Sequence, residues 1–556
     1  MANKEQVVRI ENINGGHSTY EFVAGEDQYL DSLGINIDTS VNTFNSARGG
    51  GPVVLTPTKP RDLDDSILTA TPRWMKSEPK NGNVYMYGSN GSVYVYDGVT
   101  ADTITGVGDL NDGGDARGNG MAYYDNYMYF ARASTVARYG PLNGTPSFTD
   151  DFWITTLGLT ALTDQSYPTR DQSFTTEDFP NHVMHRHKDG RLYFADVVDN
   201  RGTIHYIRTT KSSVEGDTNN GSKYNAVQLP YGFYITDIES LGDDLVIAAF
   251  EGRHTTSVYS SDDSIEGRAS LFFWDTASDN FYLIIQNEFP DQIITALENA
   301  NGVLYTFSTN LPFLDVPTGV RVMRYLGGSS FEQISMISST NSPYAGGTLS
   351  IHNRLLFGGN NNTAPCIWAV GSPNQPLSNA LYNIAGARTS VGSVQALVQT
   401  DNGALWTTEF MYSYNNDDST TGIVEAFGSS QDDWDTDTVG SNGFSYFRSR
   451  WFNVGSDFKI NKVKILRMLG DSTDSSTDIR IYLYRDYLLA STSSARTLIQ
   501  TISSDYFTIG TSDPIVIRPN NFTGRYAFMI AIEWFGEDNK SIVLPIDIYY
   551  ELFEPG

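Results

Sequence analysis

The chain of 556 residues carries one cysteine, Cys366. A single thiol excludes an intrachain disulfide framework. Large secreted β proteins commonly use such bridges, so the expectation is folding in a reducing cytoplasm. The opening Met1-Ala2-Asn3-Lys4-Glu5-Gln6 lacks the pattern of a signal peptide. Long hydrophobic runs are also missing. No apolar stretch approaches the roughly 20 residues of a spanning helix, so direct membrane insertion is not expected. Positive charge is scarce: 37 Lys and Arg stand against 65 Asp and Glu, for a net charge of −28. Such a surface repels phosphate backbones and argues against sequence-specific nucleic-acid binding. It suits solubility and the blunting of exposed strand edges instead. Helix-favouring runs of Ala, Leu, Glu and Lys are few, while Tyr, Phe and Gly are abundant, which points to an all-β protein with many turns.

What is present is a repeat. A turn followed by an aromatic-rich strand recurs at Asn81-Gly82-Asn83-Val84-Tyr85-Met86-Tyr87, Asp125-Asn126-Tyr127-Met128-Tyr129-Phe130 and Asp189-Gly190-Arg191-Leu192-Tyr193-Phe194. Weaker copies begin at Gly242, Asn301, His352 and Asp401, the last reading Asp401-Asn402-Gly403-Ala404-Leu405-Trp406. Asn-Gly and Asp-Gly tolerate the positive φ of a tight hairpin, and Val, Leu, Tyr and Phe suit a buried strand. The spacing is on the order of 45 to 65 residues, near the length of a propeller blade. Solenoid coils are shorter and more regular. The repeat therefore predicts a β-propeller over 61–430, with seven blades from seven copies and six or eight as alternatives. Tyr193, Leu245, Leu304, Leu355 and Leu405 fall at comparable positions after the turns and are expected to pack between blades.

The ends differ in texture. Residues 1–60 lack the repeat, yet Tyr20, Phe22, Val23, Tyr29 and Leu30 need something to pack against, which predicts an extended N-terminal arm. After the acidic stretch Gln431–Asp437, strands such as Val463-Lys464-Ile465-Leu466 and Ile479-Arg480-Ile481-Tyr482-Leu483 alternate apolar with polar. They predict a C-terminal β-sandwich over 431–556.

Candidates for chemistry are few. His182, His185 and His187 lie on one predicted strand, where His185 and His187 share a face and His182 takes the other. At most two could ligate one metal, and a polar strand face or a loop near the propeller rim is the favoured explanation. Asp109–Asp115 and Asp471–Asp478 are acidic loops that do not complete a calcium-binding pattern. Asp401–Trp406 is similar to the aspartate box of sialidase blades but lacks its Ser and Thr. No G-x-S-x-G elbow, phosphate-binding Gly-Lys-Ser/Thr loop or H-E-x-x-H occurs. Tyr85, Tyr87, Tyr94 and Tyr96 could stack sugars or pack across strands. No catalytic, metal or cofactor-binding residue is assigned, and no enzyme activity is expected.

The segments Gly118–Tyr129, Val136–Gly144, Pro180–His185, Ile235–Ser240 and Tyr446–Gly455 resemble those of β-propeller virion proteins of tailed bacteriophages, including nozzle and stabilisation proteins that close short tails. The resemblance implies a structural, ring-forming tail component, assembled in the bacterial host cytoplasm. Its partners would be other copies of itself and other tail proteins. The arm and the C-terminal sandwich would then supply most subunit contacts. The alternative is a carbohydrate-binding or depolymerising surface protein that engages a host surface glycan.

Overall fold

The computed structural model describes residues 5–11, 13, 16–17, 28–38, 54–57, 60–62, 67–97, 104–110, 120–163, 182–208, 221–252, 267–277, 286–290, 292–310, 319–337, 342–351, 354–361, 364–371, 381–386, 392–400, 410–416, 421–426, 444–469, 478–489, 495–502, 514–535 and 541–553. Seven four-stranded antiparallel sheets follow one another along the chain. Their first strands are Pro72–Ser77, Gly120–Tyr124, Met184–Arg186, Phe233–Leu241, Gln292–Ala300, Thr348–Ile351 and Gly392–Gln399. Each first strand lies against that of the next sheet, and the seventh returns against the first. That ring of inner strands makes the seven sheets the blades of a closed β-propeller.

Local chemistry explains the blades. The turn between the first two strands of blade 2 places Asp125 and Asn126 at φ 48° and 65°, and in blade 5 Asn301 and Gly302 take 54° and 84°. Two consecutive positive φ angles are what a two-residue hairpin turn demands. Beyond the turns, Tyr193, Leu245, Leu304 and Leu355 are all buried, as the repeat implied. Both faces of each blade are covered by neighbours. Tyr87 of blade 1 and Phe130 of blade 2 share one apolar cluster, and Ala195 of blade 3 and Ile247 of blade 4 share another. The second strands therefore read as nearly continuous apolar runs rather than alternating ones. Leu405 and Trp406 lie outside the described residues. The second strand of blade 7 is Phe410–Asn416, so the seventh motif copy precedes that strand instead of forming it.

The ring closes with a strand from the other end of the chain. Pro60–Asp62 is the fourth strand of blade 7, with Pro60 opposite Ala426 and Asp62 opposite Val424. Inside, the Ser413 hydroxyl of blade 7 accepts from Ala396 N–H (3.1 Å) and donates to Pro72 O of blade 1 (2.6 Å). The inner strands of blades 1, 4, 5 and 7 each carry a register shift, at Pro72/Trp74, Ile235/Asp237, Ile294/Ala296 and Val394/Ala396. A bulge re-aims the side chains that follow it.

Two further sheets of seven strands combine both ends of the chain. The first runs Ile515–Ile517, Phe458–Leu469, Ser541–Leu552, Val54–Pro57, Ile35–Asp38, with Gln6–Ile10 also pairing with Ser541–Leu552. In the second, Gln28–Leu33 pairs with Phe444–Ser449, which pairs with Ala527–Phe535. Alternate residues of both sheets, among them Val463, Ile465, Ile546, Ile481, Ile532 and Trp534, are buried in one cluster. Tyr29, Ile35 and Leu55 join it. The stretch expected to be an arm thus pairs with strands of its own chain, because its apolar side chains complete that core. Tyr20, Phe22 and Val23 lie outside the described residues. The same cluster takes in Ile351, Leu356 and Ile367 of blade 6 and Leu397, Phe410 and Tyr412 of blade 7. Propeller and two-sheet unit are therefore packed through a common core.

Candidate functional site: the axial charge cluster

Titratable side chains from four blades lie on the inner strands that surround the axis. Lys76 sits on the inner strand of blade 1, His185 on that of blade 3, Glu239 on blade 4 and Glu298 on blade 5. Each lies near the turn end of its strand, opposite Tyr85, Tyr193, Val246 and Tyr305 respectively. Lys76 acts electrostatically on His185, Glu239 and Glu298. In a seven-membered ring blade 1 touches only blades 2 and 7. One lysine can reach three residues of blades 3, 4 and 5 only across the centre.

Hydrogen bonds knit the cluster from blade to blade. His185 Nε2 is 2.6 Å and His187 Nδ1 2.7 Å from Ser240 Oγ. One hydroxyl thus donates to one ring and accepts from the other. Glu239 Oε1 accepts from Ser240 N–H (2.7 Å) and lies 3.6 Å from His185 Nε2. Glu298 Oε2 accepts from the Thr348 hydroxyl (2.8 Å) and Oε1 from Ser350 N–H (3.0 Å), both on blade 6. Asn299 Nδ2 donates to Ser240 O at 2.6 Å. Burial, then the facing Glu239, pushes the Glu298 carboxyl up to about 8; burial pushes Glu239 up to about 7, against the pull of Ser240 N–H and Lys76. Burial, then Lys76 and His187, draws His185 down to about 3. Both carboxyls thus bind a proton more tightly than a solvated glutamate, despite the opposing pull of Lys76.

This arrangement lacks the order of a nucleophilic triad. In a triad, serine and carboxylate meet opposite nitrogens of one imidazole. Here Ser240 and Glu239 both approach Nε2 of His185. The network is better suited to fixing blades 3, 4, 5 and 6 around the axis.

The sequence singled out the histidines but not their roles. His185 and His187 do meet at one point, Ser240. His182 is fully buried elsewhere, with Nδ1 2.9 Å from Ala195 O and Nε2 3.1 Å from Ala133 O. Beside it lies a buried pair that sequence reasoning missed. His205 Nδ1 accepts from Asn225 N–H (2.7 Å), so Nε2–H donates to Asp196 Oδ2 (3.0 Å). Asp196 also accepts from Val197 N–H (2.7 Å) and Thr163 N–H (3.2 Å). Both side chains are without solvent exposure, so the pair is structural. Among the described residues no group of three or more His, Cys, Asp or Glu is placed to hold a metal ion. Residues 111–115, 401–406 and 471–477, which carry most of the acidic loops and the aspartate-box likeness, lie outside the described residues. Tyr85, Tyr87, Tyr94 and Tyr96 are buried, and Tyr87 donates to Ala131 O at 3.0 Å, so these rings pack rather than stack sugars. A crevice of about 10 Å³ beside Arg9, Tyr29 and Arg450 has room for little more than a water and is far below the usual range for small-molecule sites.

No protein-family model and no curated protein matches the chain. Solved structures do match. The β-propeller domain of Cps50 (Swd1) from Myceliophteria thermophila is 9% identical, with 67% of this chain and 100% of that chain covered and a TM-score of 0.36. The WD40 domain of Neurospora crassa Pan2 is 11% identical, with 65% and 90% covered and a TM-score of 0.38. Chaetomium thermophilum Raptor is 9% identical, with 65% and 28% covered and a TM-score of 0.38. Likeness at these identities concerns fold alone. The class is that of a seven-bladed β-propeller, and the strand pairing of the chain itself establishes it.

Proposed function

We propose that the chain is a structural, ring-forming subunit of a bacteriophage tail, nozzle- or hub-like, without chemistry of its own. The resemblance of Gly118–Tyr129, Pro180–His185 and Tyr446–Gly455 to tail-protein segments supplies the tail assignment. The observation that carries the structural role is the axial cluster: its reactive side chains are engaged with partners on other blades rather than held ready for a substrate. An acidic surface suits a conduit that releases DNA instead of gripping it. The test is mass spectrometry and negative-stain imaging of purified virions, run beside hydrolysis assays on host surface glycan. The chain is expected in a ring within the tail and inactive on glycan. Turnover of glycan lost on a single Asp or Glu substitution would replace this proposal with the depolymerase alternative.

A further inference from the structure

The outer face of the first two-sheet layer stands apart from the rest of this acidic chain. Strand Phe458–Leu469 carries Lys459, Lys462, Lys464 and Arg467 and no acid, the densest basic run in a chain of net charge −28. Val463 and Ile465 point into the core, so Lys462 and Lys464 point out. The register sets their neighbours. Lys462 lies beside Tyr549, which lies beside Val7. Lys464 lies between Val516 and Asp547, and Asp547 is opposite Arg9. Arg9 closes on Asp547 through Nε (2.7 Å) and Nη2 (3.2 Å), and Lys462 Nζ sits 3.5 Å from the centre of the Tyr549 ring. Glu551 lies opposite Lys459, and Glu5 and Glu11 are at the rim.

Apolar side chains interrupt these charges. Val7 is 50% exposed, Val516 44% and Leu466 38%. They face solvent on one sheet rather than lying scattered over the surface. Four strands at about 4.8 Å, over three outward rows, span roughly 300–400 Å², about half of one side of a standard interface.

We propose that this face is where a second copy of this chain docks, presenting an acidic part of its surface. The argument is complementarity. Two molecules of charge −28 repel over most of their area. The Lys459–Arg467 face, with cations in the middle, acids partly neutralised and apolar side chains between them, attracts the acidic remainder of a neighbour. A patch meeting a different patch is a heterologous contact, the kind that builds rings. The inference rests on the tail-ring proposal only for its setting, since the contact itself is a property of the isolated chain.

Sedimentation of the full-length protein at low and high salt tests it. Wild type is expected to self-associate at about 50 mM salt and less at about 500 mM, where charges are screened within roughly 4 Å. Lys462→Glu/Lys464→Glu is expected to weaken association at least tenfold, and Val516→Glu to weaken it with an unchanged melting temperature. The second variant keeps the test available where the first impairs folding. Association by Val516→Glu equal to wild type, or a wild type that stays monomeric at about 100 µM in low salt, overturns the proposal. Binding of labelled duplex DNA in place of self-association, abolished by the same variants, would also overturn it. If the chain is absent from virions but self-associates through this face, the tail assignment fails and the docking face stands.

Discussion

Replacing Glu298 by Gln removes one of two carboxyls that repel each other on the inner strands of neighbouring blades. The change is nearly isosteric: the amide oxygen can keep the bond from Ser350 N–H, and the Thr348 hydroxyl can rotate to accept from the new NH₂. Its effect should depend on pH. The Glu298 carboxyl, raised from 4.5 to about 8, binds its proton more tightly in the folded chain than in the unfolded one. Below about pH 4.5 it is protonated in both states and nothing is lost. As pH rises from there the unfolded chain releases the proton first, so stability falls, and the whole contribution is gone above about pH 8. Each factor of ten in proton affinity is worth about 1.4 kcal/mol, so the full shift would correspond to about 5 kcal/mol. Glu298 is only half-buried and shares its repulsion with Glu239, so about 2 kcal/mol is the reasonable expectation. Urea unfolding at about pH 4, 7 and 9 measures it. Glu298→Gln should match wild type at the lowest pH and exceed it by about 2 kcal/mol at the highest, with Glu239 left to titrate lower. Parallel stability profiles, or a variant weaker than wild type at about pH 9, would refute the convergence of these carboxyls on the axis.

Leu304, without solvent exposure in the core between blades 4 and 5, should lose about 2 to 5 kcal/mol on replacement by Ala in the same unfolding assay; a loss under about 0.5 kcal/mol contradicts the register. Asp196→Ala leaves the buried His205 N–H and two backbone N–H groups without their acceptor and should cost about 3 kcal/mol, a figure that a neutral substitution in thermal melts would exclude. Deleting residues 1–45 removes Gln6–Ile10, Gln28–Leu33 and Ile35–Asp38 from both C-terminal sheets. Limited proteolysis should then cut within 444–553, and a digest identical to full length would show that those strands are dispensable.

The blades were legible because their signals are short-range. A two-residue turn with positive φ and the aromatic strand after it are specified by adjacent residues such as Asp125-Asn126-Tyr127, whatever the rest of the chain does. Even there the weakest copy misled, since blade 7 takes its second strand from Phe410–Asn416. The axial cluster was not legible. Lys76, Glu239 and Glu298 look like ordinary surface charges until seven inner strands close into a ring and bring their charges within reach of one another, and the Asp196–His205 pair is equally silent in one dimension. The basic run from Lys459 to Arg467 was passed over in the sequence, and its neighbours Arg9, Tyr549 and Val516 come from distant segments that only strand pairing brings beside it.

Composition and turn chemistry alone determined an all-β chain with a repeated hairpin, because both act within a few residues. The tertiary structure decided the partners at long range: that Pro60–Asp62 seals the last blade, that Arg9 reaches Asp547 across 538 positions, and that the first strands of the chain belong to the last sheets. A strand edge accepts any compatible strand. Which one it receives depends on where ring closure and the shared core around Tyr29, Ile35 and Phe410 bring the two ends together.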